Sequence, residues 1–314
     1  MKWSNVKKLS KTFFIDWKEF SLSVAVGRFA RDCPLFPWEK RRTFYEKQVC
    51  AYLERKYGHI IENAADEPER PIAEPVIWVM WWQGENAMPP LVRACYLRLK
   101  KVAEKKIILI TKDNVHDYID IPQFIFDKYN HGFLMTAHLS DIIRVLLLWK
   151  YGGLWIDATV YIDRIPNEVF LKDFFTLYAP ELFPNYISRG KWATFFMYAN
   201  TVNQKMFRVL YDLFLAYWEE HSKIIDYLLF DYFINIISLH YKSVEKSIAS
   251  LPINKEYYNL NLNINAAYDY ITARNMLKKS SLQKLTYKKV FQLTTENGAE
   301  TNYARILSAR FGSE

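Results

Sequence analysis

Cysteine is scarce and scattered, with Cys33, Cys50 and Cys95 the only three in 314 residues. That excludes a disulfide framework or a cysteine-based zinc site and suits a reducing compartment. Long apolar runs are missing as well. The longest uninterrupted ones, such as Val76–Trp82, fall far short of the roughly 18 residues needed to span a bilayer. The amino terminus has no compact apolar segment followed by a small-residue cleavage site, so the expectation is a soluble, cytoplasmic protein. No nucleic-acid recognition motif is present, and the middle of the chain is net acidic, which sets nucleic acid aside as a partner.

What the chain does have is apolar and aromatic mass. Hydrophobic residues make up 51% of it, ample for a core, in a length that suits one large domain or two ordinary ones. Aromatics reach 17%; such rings fill cores, but they also line sites for sugars, bases and membrane interfaces. The net charge of +8 is uneven: residues 1–60 carry +7, residues 61–268 carry −3 and residues 269–314 carry +4. The positive charge therefore lies at the two ends.

Residues 1–60 read as helical, with Lys2, Lys7, Lys8, Lys11 and Lys18 interleaved with Trp3, Val6, Leu9, Phe13, Phe14 and Trp17. A basic helix carrying aromatics either lies on an anionic membrane surface, at about 1 kcal/mol per Lys or Arg, or packs on the domain as an ordinary amphipathic helix. Lys40-Arg41-Arg42 adds a second basic cluster. Glu62–Pro75, rich in acid, Ala and Pro, reads as a linker. The expected division is a basic helical arm over 1–70 and one domain over 71–314.

Val76–Trp82 reads as a buried strand, Leu91–Lys101 as a helix and Lys106–Thr111 as a second strand, the rhythm of a parallel sheet covered by helices. Ligands of such sheets bind beyond the carboxyl ends of the strands, where Trp81, Gln83 and Asn114 lie. Asn114 is equally a turn residue.

His138–Tyr161 is an apolar helix stopped by Gly152-Gly153 and followed at once by a strand. Ser140 is the expected N-cap, with Asp141 in the first turn and Arg144 on the same face. The two form either a surface ion pair or, on a helix this apolar, a charged edge facing a cleft. Gly153 permits close backbone approach to a ligand or a neighbouring segment. In a strand running from Leu154 to Asp163, alternation aims Trp155, Asp157, Thr159 and Tyr161 away from the aliphatic face. A carboxylate there can hold a divalent metal, a ribose hydroxyl or a sugar hydroxyl.

Further on, Lys191–Met197 is an aromatic strand candidate, and Asn203–His221 and Asp226–Tyr241 read as helices. Asp231 is the single acid within Tyr227–Asn235, either a hydrogen-bonded structural group or one facing a cleft. His138 and His240 share no ligand spacing and read as structural. The Lys-rich Arg274–Lys289 is a solvated face or, beside an anionic ligand, a closing wall.

Ser140-Asp141-Ile142-Ile143-Arg144, followed by Tyr151-Gly152-Gly153-Leu154-Trp155-Ile156-Asp157-Ala158-Thr159, resembles the S-D-x-x-R … Y-G-G-x-Y-x-D-x-D signature of sugar-nucleotide glycosyltransferases. These include fungal initiating mannosyltransferases and the glucosyltransferase domains of clostridial toxins. The likeness is strongest to the bacterial capsular polysaccharide synthesis protein family, from about Val76 to Lys289. The resemblance implies an α/β, GT-A (Rossmann-like) fold, here with a mainly helical N-terminal arm and helical C-terminal additions. It also implies a nucleoside diphosphate sugar as donor, a UDP-sugar first among them, and hexosyl transfer with retention to a lipid-linked or oligosaccharide precursor of a surface polysaccharide at the inner membrane face. By position, Trp81 stacks on the base, while Asn114 and Trp155 line the nucleoside. Gln83, Ser140 and Gly153 belong to the same donor-binding set. Asp141 and Arg144 grip the sugar, Asp157 binds ribose, sugar or metal, and Asp231 faces the sugar.

Two departures bear on the divalent cation, Mn2+ or Mg2+, of such enzymes. Thr159 replaces the second Asp of D-x-D, and a hydroxyl is a weak ligand for a hard cation. Gln283 stands where the family often has His before the Lys284-Leu285 pair. Lys284 or Lys288 then takes over the diphosphate charge, and activity is expected to tolerate chelator. The alternative reading is a catalytically silent nucleotide- or glycan-binding subunit of an assembly complex.

Overall fold

The computed structural model describes residues 3–33, 37–184 and 186–313, and within the first helix only the side chains from Leu9 onward. The expectations placed on the side chains of Lys2, Trp3, Val6, Lys7 and Lys8 thus lie outside the described residues. In chain order come α1 (Trp3–Glu19), α2 (Leu22–Asp32), α3 (Trp38–Glu62), β1 (Arg70–Pro71), β2 (Ile77–Met80), α4 (Pro90–Val102), β3 (Ile107–Ile110), α5 (Gln123–Asn130) and α6 (Thr136–Tyr151). Then follow β4 (Gly153–Ile156), β5 (Val160–Ile162), β6 (Phe174–Thr176), β7 (Phe196–Ala199), β8 (Thr201–Val202), α7 (Lys205–Glu220), α8 (Leu229–His240), α9 (Lys242–Ala249), α10 (Asn259–Leu262), α11 (Tyr270–Lys279), β9 (Leu282–Lys284) and α12 (Asn302–Leu307).

The architecture is mixed α/β, compatible with a Rossmann-like fold. Five strands form the central sheet in the order β3-β2-β4-β7-β6, with β3, β2 and β4 parallel and β7 and β6 antiparallel to their neighbours. Residues of β2, β4 and β7 are buried throughout, as expected for strands covered on both faces. Alternation splits them between two cores: Trp78, Met80, Trp155 and Met197 face α6, α7 and α8, while Ile77, Val79, Leu154, Ile156, Phe196 and Tyr198 pack with α4 on the other side.

α6 is the hub. Leu139, Ile142, Ile143 and Val145–Leu148 are buried in one apolar cluster with α3, α7 and α8. The expected start at Ser140 is one turn late: α6 begins at Thr136 with Met135 as its N-cap, leaving Ser140 in the second turn and Asp141 beyond the first. At its other end Gly152 (φ +63°) and Gly153 (φ +91°) let β4 press against β2 and β7; a Cβ on Gly153 would lie 2.5 Å from Val76 O.

The strand expected over Leu154–Asp163 is broken. β4 stops at Ile156, Asp157–Thr159 form a turn closed by Val160 N donating to Asp157 O (3.0 Å), and β5 leaves the main sheet to pair antiparallel with β9. Asp and Ala are poor strand formers, and Asp closes turns well. The register Val160↔Lys284 carries Lys284 to the turn. Likewise only the end of Lys191–Met197 is strand; the preceding residues bend back toward α8.

The basic arm is packed along α3, whose Tyr45, Val49, Tyr52 and Leu53 share the α6 core. Polar seams reinforce it: Tyr45 OH donates to Ile225 O (2.6 Å), Tyr52 OH meets His221 Nε2 (3.0 Å), and Arg42 lies 3.6 Å from Asp226 Oδ2. The segment read as a linker is pinned by β1 pairing with β8 and by the Arg208–Glu67 ion pair (3.1 Å). α1 and α2 instead leave Phe14, Trp17, Leu22, Val26 and Phe29 exposed. No helix among the described residues is long and apolar enough to cross a membrane.

Candidate functional site

At the carboxyl ends of β2 and β4 lies a cavity of about 720 Å3, walled by residues 80–83, the first half of α6, the β4–β5 turn, residues 227–231 and residues 284–288. That is where an α/β sheet presents its strand ends to a ligand, and the volume falls within the range of about 300–1,000 Å3 typical of ligand pockets.

Asp157 is at its centre. Its Oδ1 accepts hydrogen bonds from Trp155 Nε1 (2.9 Å) and Arg144 Nη2 (3.2 Å), and its Oδ2 accepts from Lys284 Nζ (2.7 Å). Burial alone would raise its pKa, but Lys284 and Arg144 outweigh that and hold the carboxyl well below the usual carboxylate range. Lys284 Nζ also donates to Thr159 Oγ1 (2.8 Å).

Arg144 is only 4% exposed, and a buried cation must be paired to persist. It donates to Thr194 O (2.6 Å), lies 3.4 Å from Asp141 Oδ1, and rests 4.8 Å over the Trp155 ring and 5.4 Å from the Phe230 ring. The aromatic faces give it cation–π stabilisation. Asp141 in turn stands 3.5 Å from the buried His138 Nδ1. On the far wall, Asp231 Oδ1 accepts from Trp192 Nε1 (2.8 Å), and burial pushes its carboxyl up to about 7.

Trp81, Gln83, Ser140, Asp141, Arg144 and Trp155 all line this one cavity, as do Asp157, Thr159, Asp231, Lys284 and Lys288. Two expected residues are not brought there. Asn114 spends its side chain on its own turn, accepting from Thr111 N (2.8 Å) and donating to Leu109 O (2.9 Å). Gly153 faces Val76, so the close approach it permits is to a neighbouring strand. Gln283 is fully buried on the opposite side of β9 from Lys284, where its amide accepts from Leu260 N (2.9 Å) and donates to Ser280 O (3.0 Å). A Gln there subtracts no ligand from the cavity. His240 lies elsewhere, bonded to Glu54 (2.5 Å).

Sequence reasoning missed Thr194, Tyr227, Phe230, Tyr258 and Tyr287, all of which line the cavity. Only the aromatic richness of the chain hints at them.

The donor set suits a divalent cation poorly. Both oxygens of Asp157 face protein cations, the Thr159 hydroxyl accepts from Lys284, and among the described residues no three His, Cys, Asp or Glu side chains gather as a nest. Lys284 Nζ bridges the side chains of positions 157 and 159, at 2.7 Å from Asp157 Oδ2 and 2.8 Å from Thr159 Oγ1.

Comparison with known proteins agrees with the motif. A 103-residue stretch, 30% of this chain, is 28% identical to an O-glycosyltransferase, braB, of Annulohypoxylon truncatum. The match spans 24% of that protein's length. A family model described as capsular polysaccharide synthesis protein matches residues 37–306, taking in α3 as well as the sheet and the cavity. The chain therefore belongs to the capsular polysaccharide synthesis protein family.

Proposed function

We propose that this protein is a retaining glycosyltransferase of GT-A type that moves a hexose from a nucleoside diphosphate sugar, a UDP-sugar first among them, to a surface-polysaccharide precursor. The observation that carries the reading is the Asp157–Lys284–Arg144 cluster at the strand ends of a nucleotide-sized cavity. Trp81, against Tyr287 at a ring separation of 5.6 Å, offers the base a stacking edge.

In the transfer the acceptor hydroxyl oxygen bonds to the anomeric carbon as the carbon–oxygen bond to the diphosphate breaks. The electron pair leaves on the diphosphate, and in a front-side displacement the hydroxyl proton goes to the departing phosphate oxygen. Negative charge thus grows at the diphosphate and positive charge on the sugar ring. Lys284 and Lys288 face the first, and Asp141, held by Arg144, and Asp231 face the second, so preorganised charges meet charge that exists only in the transition state. Asp157 fixes Lys284 in place. A divalent cation is not needed to supply a positive charge that Lys284 already holds there.

Measuring nucleoside diphosphate release across a panel of UDP- and GDP-sugars tests the reading. Turnover of one donor, retained in EDTA, is the expected result. Several donors binding without turnover, with Asp157→Asn making no difference, would favour a silent binding subunit instead.

For a lipid-linked acceptor, α1 and α2 supply a membrane-facing surface on the cytoplasmic leaflet. Phe14 (56% exposed) and Trp17 (48%) stand beside exposed Lys11 and Lys18, the pairing of apolar rings and cations that suits an anionic headgroup layer.

A further inference from the structure

A second recess of about 250 Å3 opens beside the main cavity, and the two share Thr194, Leu228, Asp231 and Tyr258 as a common wall. Its chemistry is unlike its neighbour's. Phe183, Tyr186, Trp192, Phe195 and Tyr258 line it, Ser188 adds a hydroxyl, and no Lys or Arg is among its described lining residues. The rings are set edge to face, Phe183 at 5.7 Å from Tyr186 and 5.8 Å from Tyr258. Asp231 sits at the junction, with Oδ1 held by Trp192 and no hydrogen-bond partner to Oδ2 among the described residues.

We infer that this recess is the acceptor subsite, taking the terminal neutral hexopyranose ring of the acceptor and presenting one of its hydroxyls to the donor cavity past Asp231. The inference rests on the transferase reading above. A recess smaller than the usual ligand pocket of about 300 Å3 or more has room for a single ring and not for a nucleotide. With no cation among its described lining residues it is poorly suited to a phosphate or an acidic sugar, and the apolar C–H faces of a pyranose match its aromatic lining. The free Oδ2 of Asp231 can bond the hydroxyl that must reach the anomeric carbon, and Ser188 can bond another.

Two measurements on the full chain test this. In the first, methyl hexopyranosides are titrated while the Trp192 indole N–H is followed by NMR. A neutral glycoside should shift that signal and free UDP should not; no shift from any glycoside of the panel overturns the subsite. In the second, Tyr186→Ala, at a residue already 48% exposed, should raise the KM for a methyl glycoside acceptor at least tenfold and the donor KM less than twofold. Equal rises in both would assign the recess to the donor and overturn the proposal, as would no change in either. Should glycosides move Trp192 while no donor is ever turned over, the recess stands as a sugar-binding site, and the transferase reading falls together with the acceptor role.

Discussion

The two ends of the molecule break the ordinary division of polar outside and apolar inside in opposite ways. Around the β4–β5 turn, charges are buried: Arg144 is 4% exposed, walled by Trp155 and Phe230, with acids on two sides. Along α1 and α2, large apolar groups are exposed: Phe14, Trp17, Leu22, Val26 and Phe29 face outward beside lysines. Buried charge is costly unless it does something, and clustered exposed aromatics are unusual unless something covers them. In the first region Arg144, Asp157 and Lys284 are held by one another. The second is held by one another's rings, with Phe13 6.1 Å from Phe29 and 6.4 Å from Trp17. Function is expected to respond to charge in one and to apolar area in the other.

The largest expected effect is at the buried charges. Asp157→Asn leaves Lys284 and Arg144 without their shared carboxylate, and Lys284→Met removes the cation proposed to meet the diphosphate. Each should lower the turnover of donor by about 10²–10³-fold, the scale of losing one preorganised transition-state contact. Steady-state release of nucleoside diphosphate reads it, and a change below threefold would end the distinction drawn for this region.

Next comes the exposed face. Phe14→Ser combined with Trp17→Ser removes two rings, each worth about 1.5–3 kcal/mol when buried, so flotation with anionic vesicles should fall by tenfold or more. Turnover with a soluble acceptor should hold. If the vesicles still carry the double variant, the face has another use.

The backbone offers an intermediate case. Gly153→Ala combines a positive φ with a Cβ 2.5 Å from Val76 O, and should cost more than the 1–3 kcal/mol or so of backbone strain alone. Denaturant midpoints measure it.

A smaller effect concerns pH. The Asp231 carboxyl is raised to about 7 in the folded chain, so the stability it contributes is full below the ordinary carboxylate pKa and lost as pH rises through about 7. Relative to the parent, Asp231→Asn should therefore gain melting temperature progressively as pH rises from about 4 to 8, with no further gain above that. Asp157, whose pKa is lowered, behaves oppositely: its contribution is present at neutral pH and lost as acid protonates it. The smallest expected effect is of EDTA, under twofold on turnover; complete loss restored by Mn2+ would overturn the role given to Lys284.

Much of the sheet was legible because apolar strands and helix periodicity are local properties: Val76–Trp82, Leu91–Lys101 and Lys106–Thr111 became β2, α4 and β3. The motif residues Asp141, Arg144, Trp155 and Asp157 were legible because they lie within 17 residues of one another in the chain. The start of α6, the break after Ile156 and the turn at Lys191–Phe195 were not. Each depends on which backbone groups find partners elsewhere, as Asp157 N does at Phe195 O (2.9 Å). Asn114 showed the limit of the strand-end rule: its position suited a ligand, but its own turn used it up.

The sequence by itself determined that three charges would lie in an apolar helix and just beyond the apolar run Leu154–Ile156, and that position 159 would lack a carboxylate. Only the tertiary structure decided what completes the set. Lys284 meets Asp157 across 127 residues because β9 pairs with β5 in one register. Side chains alternate along a strand, so a slip of one residue would have turned Gln283 toward the cavity and buried Lys284 in its place. Pairing between distant strands sets that choice, and no local pattern carries it.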